Sequence, residues 1–128
     1  MEIRDFDSSS TVQAAEKLDS VLARRFEVEG SDANSFWLSH DDEYPCMLVL
    51  VRDGLATLWY TPHEGMPGFV SAGPSDHPAP DLKTTFYCDR QKQETPNRLV
   101  VTFPEALQAA HEFLRSPSLP ASLRWIEL

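Results

Sequence analysis

The sequence holds only two cysteines, Cys46 and Cys88, only five glycines, and no apolar run longer than Met47–Val51. Each shortage removes a class of protein. Two isolated cysteines cannot build a disulfide framework. Both lie in strand-like stretches beside apolar residues and read as reduced thiols, which suits a reducing cytoplasm. The apolar run is far short of the ~20 residues that cross a bilayer, and the polar, acidic stretch Met1–Ser10 does not have the pattern of a secretion signal. A cytoplasmic protein without a membrane anchor is expected. Gly54, Gly65, Gly68 and Gly73 are scattered in turns, so there is neither a phosphate-cradling loop nor a Gly-x-Ser-x-Gly elbow. Basic residues are also scarce, 11 against 20 acidic ones, for a net charge of −9. That balance opposes binding to nucleic acid, which needs Lys and Arg to neutralise phosphates, and to anionic membrane surfaces. It favours a basic protein partner through long-range attraction.

Catalytic and metal-binding signatures are similarly lacking. His40, His63, His77 and His111 have no metal-ligand spacing among themselves or with the cysteines, and no Cys-x-x-Cys or His-Glu-x-x-His is present. Pro45-Cys46 matches half of a zinc-deaminase signature, without the second cysteine or the upstream His-x-Glu. Ser71 reads as a hydrogen-bonding turn residue. His111 reads as a partly buried, hydrogen-bonded residue beside an apolar helix face, and its neighbour Glu112 is expected to face solvent. No catalytic residue, metal or cofactor is expected, and the chain is not expected to be an enzyme.

With 128 residues, 41% hydrophobic and 24% charged, the chain fits one domain able to bury a real core. Residues 1–9 read as a polar lead-in, in which Phe6 could pack as a short strand. Ser10-Thr11-Val12-Gln13 matches a capping box, in which side chains satisfy orphan N–H groups at a helix start. The stripe Val12, Ala15, Leu18, Leu22, Phe26 predicts a helix from there. Strands are expected at 35–39, 47–52 and 55–61, the last two joined by Asp53-Gly54, a turn pair that tolerates positive φ. Further strands are expected at 68–71, 83–88, 98–101 and 123–128, with 89–97 a polar loop. Thr102-Phe103-Pro104-Glu105 opens a second helix with both a capping box and an early proline. The expectation is α+β: one mainly antiparallel sheet of about 5–7 strands with two helices on one face.

Residues 26–45 contain Glu27, Glu29, Asp32, Asp41, Asp42 and Glu43 with no Lys or Arg. Such a run is either a solvated loop face or a negative patch that meets a basic groove. Trp37, Trp59 and Trp125 read mostly as core. Tyr60 falls opposite Trp59 on its strand, so one of the two belongs outside.

Four segments occur in a telling order: Asn34-Ser35-Phe36-Trp37-Leu38-Ser39, then Tyr44-Pro45 before a hydrophobic strand, then Gly68-Phe69-Val70-Ser71-Ala72-Gly73, and finally Pro120-Ala121-Ser122-Leu123-Arg124-Trp125-Ile126-Glu127-Leu128. Together they resemble the immunity-protein family of bacterial polymorphic-toxin systems. In particular they are similar to the immunity partners of double-stranded-DNA cytosine deaminase toxins delivered by type VI secretion. The resemblance runs from about Asp19 to the C-terminal residue.

It implies a stoichiometric inhibitor: a monomer in the bacterial cytoplasm that forms a 1:1 complex with a cognate, basic, nucleic-acid-acting toxin domain and covers its active site. It also implies that the motif residues Trp37, Gly68, Phe69, Ser71, Gly73, Trp125 and Glu127 are structural. Trp125 would pack the sheet on the second helix, the two glycines would shape turns, and Glu127 would accept a buried hydrogen bond or face the partner. Partner contacts are expected in the loops, at Asp41, Asp42, Glu43, Tyr44, His63, Glu64, Asp76, Asp89 and Glu94. Two other readings stand beside this one. One is a small-ligand-binding or regulatory domain without catalysis. The other is an enzyme with an unfamiliar site, such as His63 with Glu64.

Overall fold

Strand pairing begins at the first residues. In the computed structural model, which describes residues 1–128, β1 (Glu2–Arg4) and β2 (Ser9–Thr11) form a hairpin. The lead-in is thus part of the sheet, and it buries Ile3 completely among core side chains. Phe6 sits in the turn and stacks on Phe26, with ring centroids 5.8 Å apart.

This hairpin displaces the expected start of the first helix. Ser10 is a strand residue; the Val12 N–H donates to the Met1 carbonyl at 2.8 Å, and the Met1 ammonium donates to the Val12 carbonyl at 2.9 Å. Backbone groups here serve the strand pairing, so the helix α1 (Ala15–Leu22) begins later, after Ala14 and without a side-chain cap. Only Leu18, Val21 and Leu22 of α1 are buried. Phe26 belongs instead to β3 (Phe26–Val28), which turns back through Glu29 (φ 51°) and Gly30 (φ 82°) into β4 (Ser31–Ser39). Two consecutive left-handed residues match the right-handed twist of a two-residue hairpin.

The central strands are β4, β5 (Cys46–Arg52) and β6 (Leu55–Thr61), followed by β7 (Phe69–Ala72). The β5–β6 turn is the Asp53-Gly54 pair, with Asp53 at φ 54°. A separate hairpin, β8 (Lys83–Cys88) and β9 (Gln91–Pro96), turns through Asp89 (φ 48°) and Arg90 (φ 70°). Residues 89–97 are therefore not a loop. The stretch 98–101 is not one strand either: a 3₁₀ turn (Asn97–Leu99) precedes the short β10 (Val101–Thr102). The helix α2 (Phe103–Arg115) starts as its sequence dictates, with the Thr102 hydroxyl accepting from the Glu105 N–H and Glu105 accepting from the Thr102 N–H. The last strand is β11 (Arg124–Glu127).

The main sheet is open and antiparallel, in the order β11-β7-β6-β5-β4-β1-β2, with β3 joined to β4 and β10 to β6. Both helices pack on one face. Leu18, Leu22, Ala109 and Phe113 close over Ile3, Phe36, Leu38, Val49 and Leu58. The two helices are also tied by His111 Nε2, 2.6 Å from an Asp19 carboxylate oxygen. The opposite face carries a smaller cluster of Leu48, Leu50, Phe86 and Val100, where the β8–β9 hairpin lies across β4 and β5.

One buried polar network fixes the N-terminal hairpin. Asp5 is 5% exposed. Its carboxylate accepts from the N–H groups of Asp7 and Ser8 at 2.9 Å and from the Asn34 amide at 3.3 Å, with Arg24 at 3.8 Å. Burial alone would raise the Asp5 pKa, but those donors outweigh it and hold the carboxyl below its ordinary range.

Candidate functional site

The pairing of β1, β4, β5 and β6 places Arg4, Trp37, Leu48 and Trp59 in one row across the sheet. The next row toward the β4–β5 loop is Glu2, Ser39, Cys46 and Thr61. Both rows point away from the helices, because the intervening residues Ile3, Leu38, Met47 and Tyr60 point into the helix-covered core. Tyr60 is thus inside, and Trp59 is the half-buried member of that pair. One row further along, Ser35, Leu50 and Thr57 are fully buried, the first two where the β8–β9 hairpin crosses β4 and β5 and Thr57 against Leu99, whose carbonyl it bonds at 3.0 Å. The hairpin cluster borders Trp37 and Trp59 and leaves both half-buried.

What remains is an open half-face with a cleft of about 410 Å³, lined by Glu2, Arg4, Trp37, Glu43, Tyr44 and Cys46 among others. It continues past Trp37 and Cys46 into a second hollow of about 310 Å³ bounded by Leu48, Trp59, Thr61 and Gln93. The Arg4 guanidinium lies 5.8 Å from the Trp37 ring centroid, within cation–π reach. The Trp37 indole nitrogen is buried without a hydrogen-bond partner. Burial pushes the Cys46 thiol up from its ordinary pKa; a hydrogen bond with Thr61 opposes this and the Glu43 charge reinforces it. Tyr44 is also pushed up, by loss of solvent first and then by the charges of Glu43, Cys46 and Glu64.

The expected contact residues separate into groups. Asp41, Asp42 and Glu43 are exposed in the β4–β5 loop, Tyr44 is half-buried beside them, and His63 and Glu64 are exposed in the β6–β7 loop. These two loops meet at one end of the sheet because Cys46 pairs with Thr61. Asp76 is remote from them, in the loop after β7. Asp89 is in the β8–β9 turn, its N–H donating to the Ser35 hydroxyl at 3.1 Å. Glu94 projects from β9 and accepts from Thr85 at 2.7 Å. The aromatic floor escaped the sequence reading because the position of the β8–β9 hairpin decides which indoles stay open.

The motif residues have definite structural surroundings. Gly68 (φ 82°) passes so close to β6 that a Cβ would overlap the Tyr60 carbonyl oxygen, and at Gly73 a Cβ would overlap that of Val100. Gly73 donates to the Arg98 carbonyl at 2.7 Å and accepts from Arg124 at 2.6 Å. Phe69 packs on Tyr60, with centroids 6.2 Å apart. The Trp125 indole donates to the Pro120 carbonyl at 2.8 Å, and its ring packs on the main core. Glu127 is exposed on the outer strand, opposite Phe69. Glu112 does not simply face solvent: one of its oxygens accepts from the N–H groups of Ala121 and Ser122 at 3.2 Å, and the other is buried.

No group of three or more His, Cys, Asp or Glu side chains is placed to hold a metal ion. His40 donates to the Phe113 carbonyl at 2.6 Å, and His77 Nδ1 accepts from the Ala79 N–H at 2.9 Å. Both thiols are free, and no helix is long and apolar enough to cross a membrane. The surface is open, with half-buried indoles beside a cluster of carboxylates.

No curated protein matches the chain. The family model for Imm1 immunity proteins matches residues 7–127, from the first hairpin to the last strand, and the chain therefore belongs to the Imm1 immunity protein family.

Proposed function

We propose that this immunity protein neutralises a basic, nucleic-acid-acting toxin of the deaminase class by covering its active site in a 1:1 complex in the bacterial cytoplasm. Immunity proteins of this family act on a cognate toxin partner; the class of that toxin is argued from charge. The observation that carries the reading is the sheet end where Asp41, Asp42, Glu43 and Glu64 gather, in a chain of net charge −9. A toxin that grips nucleic acid must offer Lys and Arg to phosphates. An acidic surface competes for that same groove, and opposite charges accelerate encounter and set orientation. Inhibition by occlusion asks no chemistry of the immunity protein.

The test is to express the toxin domain encoded beside this chain with and without it, scoring survival and co-elution. Rescue with a stable 1:1 complex supports the reading. Death in both cultures with separate elution overturns that pairing. The cleft volume of about 410 Å³ also lies within the usual range of small-molecule sites, roughly 300–1,000 Å³. A ligand there would raise the melting temperature by mass action.

A further inference from the structure

We propose that the open half-face of the sheet, floored by Trp37, Leu48 and Trp59 and rimmed by Glu2, Glu43 and Tyr44, is the surface that seats the toxin. The segment it takes is a loop presenting an arginine or lysine beside an apolar or aromatic side chain. This rests on the reading that the partner is a basic toxin, and it names the surface and the chemistry of the contact.

The fold leaves this area open while covering the helix-packed face and the neighbouring rows. Two helices close one face, and the β8–β9 hairpin closes the neighbouring rows of the other. Along β4, Phe36 and Leu38 are fully buried while Trp37 between them is half-buried; along β6, Leu58 and Tyr60 are buried while Trp59 is half-buried. Two indoles therefore lie on the face away from the helices, at the border of the β8–β9 hairpin, and remain half-exposed. Trp and Tyr in a partly enclosed pocket are the residue types that dominate binding energy at protein interfaces.

The floor is also rigid. β4, β5 and β6 are each paired on both sides, so little order is lost when a partner seats there. A surface on exposed loop tips alone would lack that advantage.

Charge selects the occupant. Glu2 and Glu43 line the cleft, Asp41 and Asp42 continue along the same loop, and the Glu64 charge reaches Tyr44. The one cation lining the cleft is Arg4, already placed over Trp37. A guanidinium or ammonium entering here meets indole faces and carboxylates together, whereas an acidic segment meets repulsion. Asp76, Asp89 and Glu94 lie outside this surface and take no part in the contact.

The experiment titrates the full chain into the adjacently encoded toxin domain by calorimetry. The cleft variants, all in its continuation past Trp37 and Cys46, are Thr61→Arg, Gln93→Arg and Trp59→Ala, and the remote controls are Asp76→Lys and Glu16→Lys. Circular-dichroism melts accompany each variant. Thr61→Arg and Gln93→Arg place a cation and bulk in that continuation from half-buried polar positions, so they test the surface even where Trp59→Ala loosens the sheet. The expected result is a loss of affinity of about 30-fold or more for the folded cleft variants, the size of a hot-spot effect, with the controls unchanged. Tight binding by the unaltered chain and by its folded cleft variants alike overturns the placement of the surface. No binding by the unaltered chain overturns the basic-toxin reading itself, a different outcome in the same titration.

Discussion

The Ser71 hydroxyl donates to the Leu99 carbonyl at 2.8 Å while accepting the Leu58 N–H at 3.0 Å. It stands where β7 and β10 share the edge of β6, and it satisfies backbone groups that neither strand reaches. Ser71 is fully buried, so water cannot replace it. Thr57 also donates to Leu99, at 3.0 Å, which leaves the Leu58 N–H as the group orphaned in Ser71→Ala. The expected cost is about 1–3 kcal/mol, that of an unsatisfied buried donor, read from urea unfolding. A change of only a few tenths would show that the hydroxyl is dispensable.

Gly65 and Gly68 separate backbone strain from close approach. Both are left-handed, at φ 79° and 82°, but a Cβ at Gly65 meets nothing whereas one at Gly68 strikes the Tyr60 carbonyl. Gly65→Ala is expected to cost about 1–2 kcal/mol, the left-handed penalty alone. Gly68→Ala should cost clearly more, roughly 3 kcal/mol or above, because β6 or β7 must also move. Equal melting temperatures for the two variants would contradict the close packing of β7 on β6.

Asp5 gives the fold an acid-sensitive point. Its folded-state pKa is depressed: burial works against the charged form, but the hydrogen bonds from Asp7, Ser8 and Asn34 prevail. A depressed pKa means that the carboxylate adds stability at every pH above the ordinary value near 3.9. That contribution is lost as pH falls through the lowered folded-state value. Asp5→Asn should be less stable than the parent at neutral pH, by about 1–3 kcal/mol. The gap should shrink on acidification below about pH 4. A gap that is constant from pH 7 to pH 2 would exclude this role.

Asp41, Asp42 and Glu43 are exposed, and their reversal to lysine should leave the melting temperature nearly unchanged. The toxin association rate should fall by about tenfold or more at low ionic strength. The difference should fade in about 1 M salt, where screening acts within ~3 Å. Stopped-flow association at several salt concentrations reads this directly. A salt-independent difference would point to lost contacts, with steering excluded.

Local chemistry was legible in the sequence; long-range placement was not. Asp53-Gly54 and Thr102–Glu105 announced a turn and a helix start because each signal is complete within a few residues. Ser10–Gln13 carries an equally good capping pattern, yet pairing with residues at the chain start takes its backbone groups first. Asp89-Arg90 turns a hairpin with no glycine to mark it, so 91–96 gave no strand signal. At the site, the acidic loop at 41–43 was evident from charge. The open row of Arg4, Trp37, Leu48 and Trp59 was not, because it depends on register across four strands and on where the β8–β9 hairpin comes to rest.

A titration of toxin catalysis tests inhibition by occlusion. The adjacently encoded toxin domain is held at fixed concentration, well above the dissociation constant, and its action on nucleic acid is followed as this chain is added. Occlusion of the active site predicts a linear fall to zero activity at one molar equivalent, with no consumption or modification of the immunity protein. Full toxin activity in the presence of a large molar excess would contradict it.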